Sequence, residues 1–251
     1  MGLGSAAAEE AEISEKWVRI EINATDGDAG FQGMGDADGW TTMSIRRNDP
    51  DRHLLYKVRG FSGVADQGLT ENFFESAEPD CEEQPLDVFL DRFPAGEHLF
   101  RVKTQDEEIL EGSSFLTHAL PGAPENLAPT GGGIDETQPV VISWTAGTTL
   151  GNCPPGGADV PAPGSVPLFG YEVVVEREEP EPLLKYTVQV DASQTSVSLP
   201  PQFVQQEGIY KYEVVAIESR LDEDDEEEKG NQTISEAFFC TSGIAPCELP
   251  E

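Results

Sequence analysis

Short runs in which apolar and polar positions alternate begin at Trp17 and recur through the chain. Over 17–25, Val18, Ile20, Ile22 and Ala24 share one face against Arg19, Glu21 and Asn23, the period-two pattern of a half-buried strand. Thr41, Met43 and Ile45 repeat it over 40–47, and residues 53–60, 67–74 and 86–93 predict further strands. A turn at 94–96 leads into 96–104, where His98, Phe100 and Val102 share a face, and residues 107–120 close this first group. The second half supplies strands at 140–144, 169–178, 183–190, 195–199 and 234–241. Its clearest strand is 208–218, where Tyr210, Tyr212, Val214 and Ala216 alternate with Ile209, Lys211, Glu213, Val215 and Ile217. Strands at intervals of about 8–12 residues, with turn chemistry between them and no 3.6-residue apolar period, predict an all-β chain built as antiparallel sandwiches.

Composition shifts mark the boundaries. Residues 121–133 hold three prolines and four glycines, a natural junction, and divide the chain into β-sandwich domains at 16–120 and 121–245. An acidic N-terminal segment, 1–15, precedes them and a tail, 246–251, follows. The start lacks the basic and apolar regions of an intact signal peptide.

In the second domain the hydrophobic strand ending at Trp144 is followed by Gly170-Tyr171-x-Val173, then Thr195-x-Val197-x-Leu199-Pro200, then Tyr210-x-Tyr212-x-Val214. This succession resembles a fibronectin type III domain over about 124–241. The resemblance implies that Trp144 on strand B fills the core, that Leu199 packs beneath it, and that Tyr210 on strand F makes a corner hydrogen bond. The B–C connection, 145–168, departs from the family by its length. The first domain resembles the family less closely and is expected to be an immunoglobulin-like relative.

With 15 basic and 48 acidic residues the formal charge is −33. A polyanion of that density is repelled by nucleic acid and by anionic membrane surfaces, so neither is an expected partner. No apolar run approaches the length of about 18 residues that a membrane span requires. High salt, divalent cations and solubility each account for such acidity, and saline or calcium-rich surroundings rank first.

The glycine-rich stretch 26–39 is expected to be a loop joining two strands, and it carries Asp26, Asp28, Asp36 and Asp38. Carboxylates at alternate positions among glycines are one way to supply the oxygen ligands of calcium; an acidic turn without an ion is the other outcome. The stretch is no EF-hand, because the glutamate at the twelfth position is missing. Seven consecutive carboxylates at 222–228 read as a solvated connection between strands F and G. His53, His98 and His118 lack metal-ligand spacing, Ser113 and Ser114 lie in no nucleophile elbow, and glycines 131–133 form no phosphate loop, so no enzyme signature is present. Four cysteines admit three connectivities; Cys240 and Cys247 form a local candidate pair, with Cys81 and Cys153 left over. Asn23 and Asn231 head glycosylation acceptor tripeptides.

The expected protein is non-enzymatic, exported to the cell surface, the extracellular space or a periplasm. Its expected role is structural, adhesive or in extracellular assembly, with calcium as a ligand, a protein or polysaccharide as partner, and self-association included. The alternative is a polysaccharide- or protein-binding module accessory to an enzyme, stacking its ligand on Trp40 and Phe31.

Overall fold

The computed structural model describes residues 12–157, 159–222 and 226–249. Most of the expected N-terminal segment, the middle of the acidic run 222–228 and the last two residues of the tail lie outside the described residues. The elements are β1 (Glu15–Asn23), β2 (Asp28–Arg47), β3 (Leu54–Arg59), α1 (Gly63–Gln67), β4 (Leu69–Glu75), α2 (Leu86–Arg92), β5 (Gly96–Thr104), β6 (Ile109–Leu116), β7 (Glu125–Ala128), β8 (Gly131–Ile134), β9 (Val141–Thr145), β10 (Leu168–Glu179), β11 (Leu184–Asp191), β12 (Ser196–Ser198), β13 (Ile209–Leu221) and β14 (Glu227–Thr241). The fold is all-β.

Two compact units interleave along the chain. One comprises Met1–Val18, Gln32–Glu75 and Ala95–Leu116; the other comprises Arg19–Phe31, Ser76–Pro94 and Thr117–Glu251. These divisions differ from a boundary at 120/121, because residues 19–31 and 76–94 are bonded into the second unit. Glu21, Ile22 and Asn23 pair in parallel with Gln232, Thr233 and Ile234 of β14, and Cys81 is bridged to Cys153.

In the first unit, β2 is the central strand. Its residues 42–46 pair antiparallel with β3 on one edge and β5 on the other, so that Met43 stands between Val58 and Val102, and Ile45 between Tyr56 and Phe100. Further back, Gly33 and Gly35 pair with Phe74 and Asn72 of β4, and β6 extends the sheet beyond β5. The register shifts between Asp36 and Trp40, where Gly39 takes φ +59, and β2 folds over so that Met43 covers Gly35. The Phe74 ring lies across Gly33 in the same way; a side chain at either glycine would occupy space that these core groups fill. Stretch 26–39 is therefore not the expected loop. Only Asp26 and Gly27 lie in the turn; from Asp28 the stretch is strand, and Gly30, Gly33 and Gly35 leave room for the side chains of Glu78, Phe74 and Met43.

The second unit is a sandwich. One sheet has the order β12–β9–β7; the other has β11–β10–β13–β14, with β8 and residues 21–23 of β1 both parallel to β14. In fibronectin type III terms these are strands A, B and E facing C, C′, F and G. Trp144 meets Tyr171 edge-on at 5.2 Å, Tyr210 stacks on Phe239 at 4.8 Å, and Leu199 and Val214 complete the same core. The Tyr210 hydroxyl accepts from the Gln205 amide at 2.9 Å and donates to the Phe203 carbonyl at 3.3 Å, closing the tyrosine corner.

The strand expected at 86–93 is corrected to a helix. Leu86, Phe89 and Leu90 are buried along α2 at helical spacing, preceded by Pro85, whose fixed φ suits a helix entry. Three apolar residues in one turn and a half satisfy either period, and packing decided between them: Phe89 and Phe93 lie 5.0 Å apart, and Phe93 stacks on Phe31 at 4.5 Å. Among the described residues no helix is long and apolar enough to cross a membrane.

Candidate functional site

The tight connection between β1 and β2 lies wholly within the second unit. The Asn23 side-chain oxygen accepts from the amides of Thr25 and Asp26, at 3.0 and 3.1 Å, and the Gly27 amide closes the turn onto the Asn23 carbonyl at 2.8 Å. Such a side-chain-directed turn needs the short polar reach of Asn, and Gly27 supplies φ +83 at its exit. The long B–C connection clamps it from outside. Asn152 donates its backbone amide to the Ala24 carbonyl at 2.9 Å and its side-chain amide to the Thr25 carbonyl at 2.7 Å. Next to it, Cys153 is bridged to Cys81, whose amide donates to the Gly27 carbonyl at 2.7 Å. The segment that departs most from the fibronectin type III pattern is thus what holds the turn.

Carboxylates gather around this clamp. Asp28 opens β2 and forms an isolated antiparallel bridge with Asp80. Glu236 on β14 accepts from Asn23 Nδ2 at 2.9 Å, donates its own amide to Thr25 Oγ1 at 2.8 Å, and pairs with Lys211 at 2.6 Å. Asn23 Nδ2 also reaches Asp26 at 3.2 Å. The Asp28 Oδ1 is buried with no hydrogen-bond partner. Its carboxyl is pushed up to about 6, first by burial and then by the negative charges of Asp26, Glu236, Glu21 and Asp80. These carboxylates act on Asp28 through their charge; among the described residues no three of them bring ligand atoms within 4.8 Å of one another.

Of the four aspartates expected to act together, Asp26 and Asp28 lie in the second unit, Asp26 in the turn and Asp28 at the start of β2. Asp36 and Asp38 belong to the first unit: Asp36 accepts from Ser14 Oγ at 3.0 Å, and Asp38 is exposed beside Gly39. Asp80 and Glu236 were not legible as partners. They reach the turn through a single bridge and through strand G, and no local spacing announces either connection.

Other expected positions have structural roles. Trp40 is 0 % exposed, with its indole nitrogen donating to the Thr70 carbonyl at 2.8 Å, and Phe31 is 2 % exposed. Neither offers a stacking surface, which corrects the polysaccharide platform expected from them; each fills a core instead. His53 binds Asp49 at 2.8 Å, His98 contacts the Gly96 carbonyl at 3.0 Å, and His118 contacts the Phe93 carbonyl at 2.9 Å. Ser114 Oγ accepts from the Val18 amide at 3.3 Å. Asn231 is 0 % exposed, accepts from the Ile20 amide, and donates to Thr117 and Ala119, so it is closed to a glycan in the folded state. Cys240 and Cys247 are joined in a second disulfide.

No family model matches this chain and no curated protein matches it. Solved structures similar to this chain at low identity include three. A segment of two fibronectin type III domains from chicken tenascin is 12% identical, with 93% of this chain and 98% of that one covered and a TM-score of 0.30. The FN1–FN3 domains of chicken CNTN1 are 10% identical, with 90% and 64% covered and a TM-score of 0.34. A structure described as a myokine is 16% identical, with 48% and 97% covered and a TM-score of 0.30.

Proposed function

We propose that this chain is a non-enzymatic, exported structural or adhesive protein that binds calcium at the β1–β2 turn, and that its role is assembly at the cell surface with a protein or polysaccharide partner. The observation that carries the calcium site is the buried Asp28 oxygen without a hydrogen-bond partner, held in the negative field of Asp26, Glu236, Glu21 and Asp80. A divalent cation there would offset their mutual repulsion and replace the water that Asp28 has lost. Export is supported by the pairing of all four cysteines in two disulfides, bonds that persist in oxidising compartments. The turn is braced by backbone hydrogen bonds and a disulfide, so a cation there would act on a preformed frame.

Isothermal titration of the chain with calcium chloride, alongside thermal melts, tests the site. The expected result is saturable heat and a rise in Tm, both lost in Asp28→Asn and retained in Asp38→Asn. Absence of heat and of any Tm shift in the unaltered chain overturns it.

A further inference from the structure

Five of the chain's 15 lysines and arginines, Arg46, Lys57, Arg59, Arg101 and Lys103, line one cleft of about 560 Å³ on the first unit. The sheet register accounts for their convergence. Thr42 on β2 is flanked by Arg59 on β3 and Lys103 on β5, and Ser44 by Lys57 and Arg101. Side chains alternate across a sheet, so these residues share the outer face while Met43, Ile45, Val58, Phe100 and Val102 share the inner one. Two columns of cations result, about 10 Å apart across β2, with Thr42 and Ser44 lining the cleft between them.

Acidic neighbours neutralise only part of this face. Lys103 pairs with Glu107, Arg101 lies 3.7 Å from Glu111, and Arg46 donates to the Arg52 carbonyl at 3.0 Å. Lys57 and Arg59 are exposed and have no ion pair among the described residues, and the Thr42 hydroxyl makes no hydrogen bond there. Arg59 stands over the Phe61 ring at 5.2 Å. Phe61 follows Gly60 of the cleft lining and is 68 % exposed, the most exposed large apolar side chain among the described residues. It offers the open ring that Trp40 and Phe31 do not.

Cations, hydroxyl and ring ask for one kind of ligand. Arginine forks match planar anionic groups and hold carboxylates through paired hydrogen bonds. A free hydroxyl suits a ligand rich in hydroxyls, and an exposed ring packs against the flat apolar face of a sugar. Charge density narrows the class. The chain's formal charge of −33 opposes every further negative charge that a ligand brings. Duplex nucleic acid, with one charge for about every 1.7 Å of helix axis, meets that opposition most strongly, and densely sulfated chains come next. A chain of sugars bearing at most one carboxylate each meets it least.

We propose that this cleft binds a carboxylated polysaccharide, with uronate groups held by Lys57 and Arg59 on one side of β2 and by Arg101 on the other, and a sugar ring packed on Phe61. This rests on the reading of the chain as a surface protein with a polysaccharide partner and names that partner's chemistry, but it does not involve the Asp28 turn. Screening makes the contact salt-sensitive.

Isothermal titration of the full chain with oligogalacturonate over a range of salt concentrations tests the cleft; EDTA is present because uronate chains bind calcium by themselves. The expected result is saturable heat that weakens as salt rises, and none from neutral dextran. K57E/R59E should weaken binding on the order of tenfold or more and flatten its salt dependence. F61A should weaken it about three- to tenfold and leave the salt dependence unchanged, because ring packing is not ionic. Circular dichroism melts check that each variant is folded; K57Q/R59Q introduces no new charge, stands in for K57E/R59E if that variant does not fold, and should show the same flattening. Absence of heat from the unaltered chain overturns the proposal, as does binding that survives both changes at Lys57 and Arg59. Tighter capture of heparin or of single-stranded DNA through the same residues also overturns it and assigns the cleft to a denser polyanion. In a separate titration without EDTA, calcium heat from a chain that takes up no oligogalacturonate removes this cleft and leaves the turn site standing; oligogalacturonate binding by a chain without calcium heat supports the cleft and removes the turn site.

Discussion

Gly147 lies directly against the Ala123 carbonyl, close enough that a Cβ on Gly147 would fall inside that oxygen's van der Waals envelope. The Ala123 amide is itself tied to the Thr149 carbonyl at 2.8 Å, so neither backbone can yield cheaply. Gly147→Ala should destabilise the second unit by about 1–3 kcal/mol or more, the range for forced overpacking. Gly63→Ala is the control: nothing lies within 4 Å of a Cβ there, and at the start of α1 the change should be neutral or slightly stabilising. Urea unfolding followed by tryptophan fluorescence separates the two.

The Asp28 carboxyl sets a pH dependence with a definite sign. An aspartate in the unfolded chain loses its proton near 3.8, whereas Asp28 in the fold keeps it to about 6. The folded state binds the extra proton between these values, so this group's contribution falls as pH rises from 3.8 to about 6, and its cost is fully present above that. Without calcium, Tm should therefore rise as pH is lowered from neutrality towards 5. In Asp28→Asn that part of the rise should be absent and Tm at neutral pH should be higher. A melt series over pH in EDTA, for both proteins, checks this.

The two disulfides close loops of very different size, with sequence separations of 72 for Cys81–Cys153 and 7 for Cys240–Cys247. Loop-closure entropy gives about 4 kcal/mol for the long loop against about 2 kcal/mol for the short one. Replacing Cys81 and Cys153 together by serine should lower Tm more than replacing Cys240 and Cys247. It should also loosen the β1–β2 turn and weaken calcium heat, because Cys81 and Asn152 brace that turn. Non-reducing peptide mapping of the unaltered chain should recover both linked pairs.

Tyr210→Phe keeps the ring that stacks on Phe239 and removes only the hydroxyl. The Gln205 amide then loses its acceptor, and a cost of about 1–2 kcal/mol is expected. Asn231→Ala should cost more, on the order of 2–3 kcal/mol, because the Ile20 amide and the Thr117 and Ala119 carbonyls lose partners together. Chemical denaturation measures both, and mass spectrometry of protein from a glycosylating host should find no glycan on Asn231.

The sandwich of the second unit was legible because its signal is local: alternation in 208–218 and 169–178, with Trp144 and Leu199 at readable intervals. Where tertiary contacts override local composition, the sequence misled. Asp28–Arg47 is rich in glycine and aspartate, yet it is a strand because Phe74 and Met43 use the space the glycines leave. Leu86–Arg92 fits two periods, and only its neighbours choose the helical one. Of the proposed site, Asp26 and Asp28 stand where the chain turns and were legible, whereas Asp80 and Glu236 come near through a bridge and a hydrogen bond that no spacing announces. The basic face left a trace in Lys57-x-Arg59 and Arg101-x-Lys103, two alternations hidden by a chain-wide excess of acid.

Strand β14 has no vacant side over residues 232–234 and 239–241: β13 runs along one edge, and β1 and β8 occupy the other. A fragment cut at the proline- and glycine-rich junction, 121–245, would carry every fibronectin-type landmark and still be incomplete. It would bare the backbone amides and carbonyls of 232–234, leave Cys153 and Cys240 with reactive thiols, and strip the Asn231 side chain of its Ile20 and Thr117 contacts. Edge-to-edge clumping and mixed disulfides should follow. For anyone expressing, grafting or recombining this protein, the heritable module begins at residue 19 and cannot be lifted out without the intervening chain.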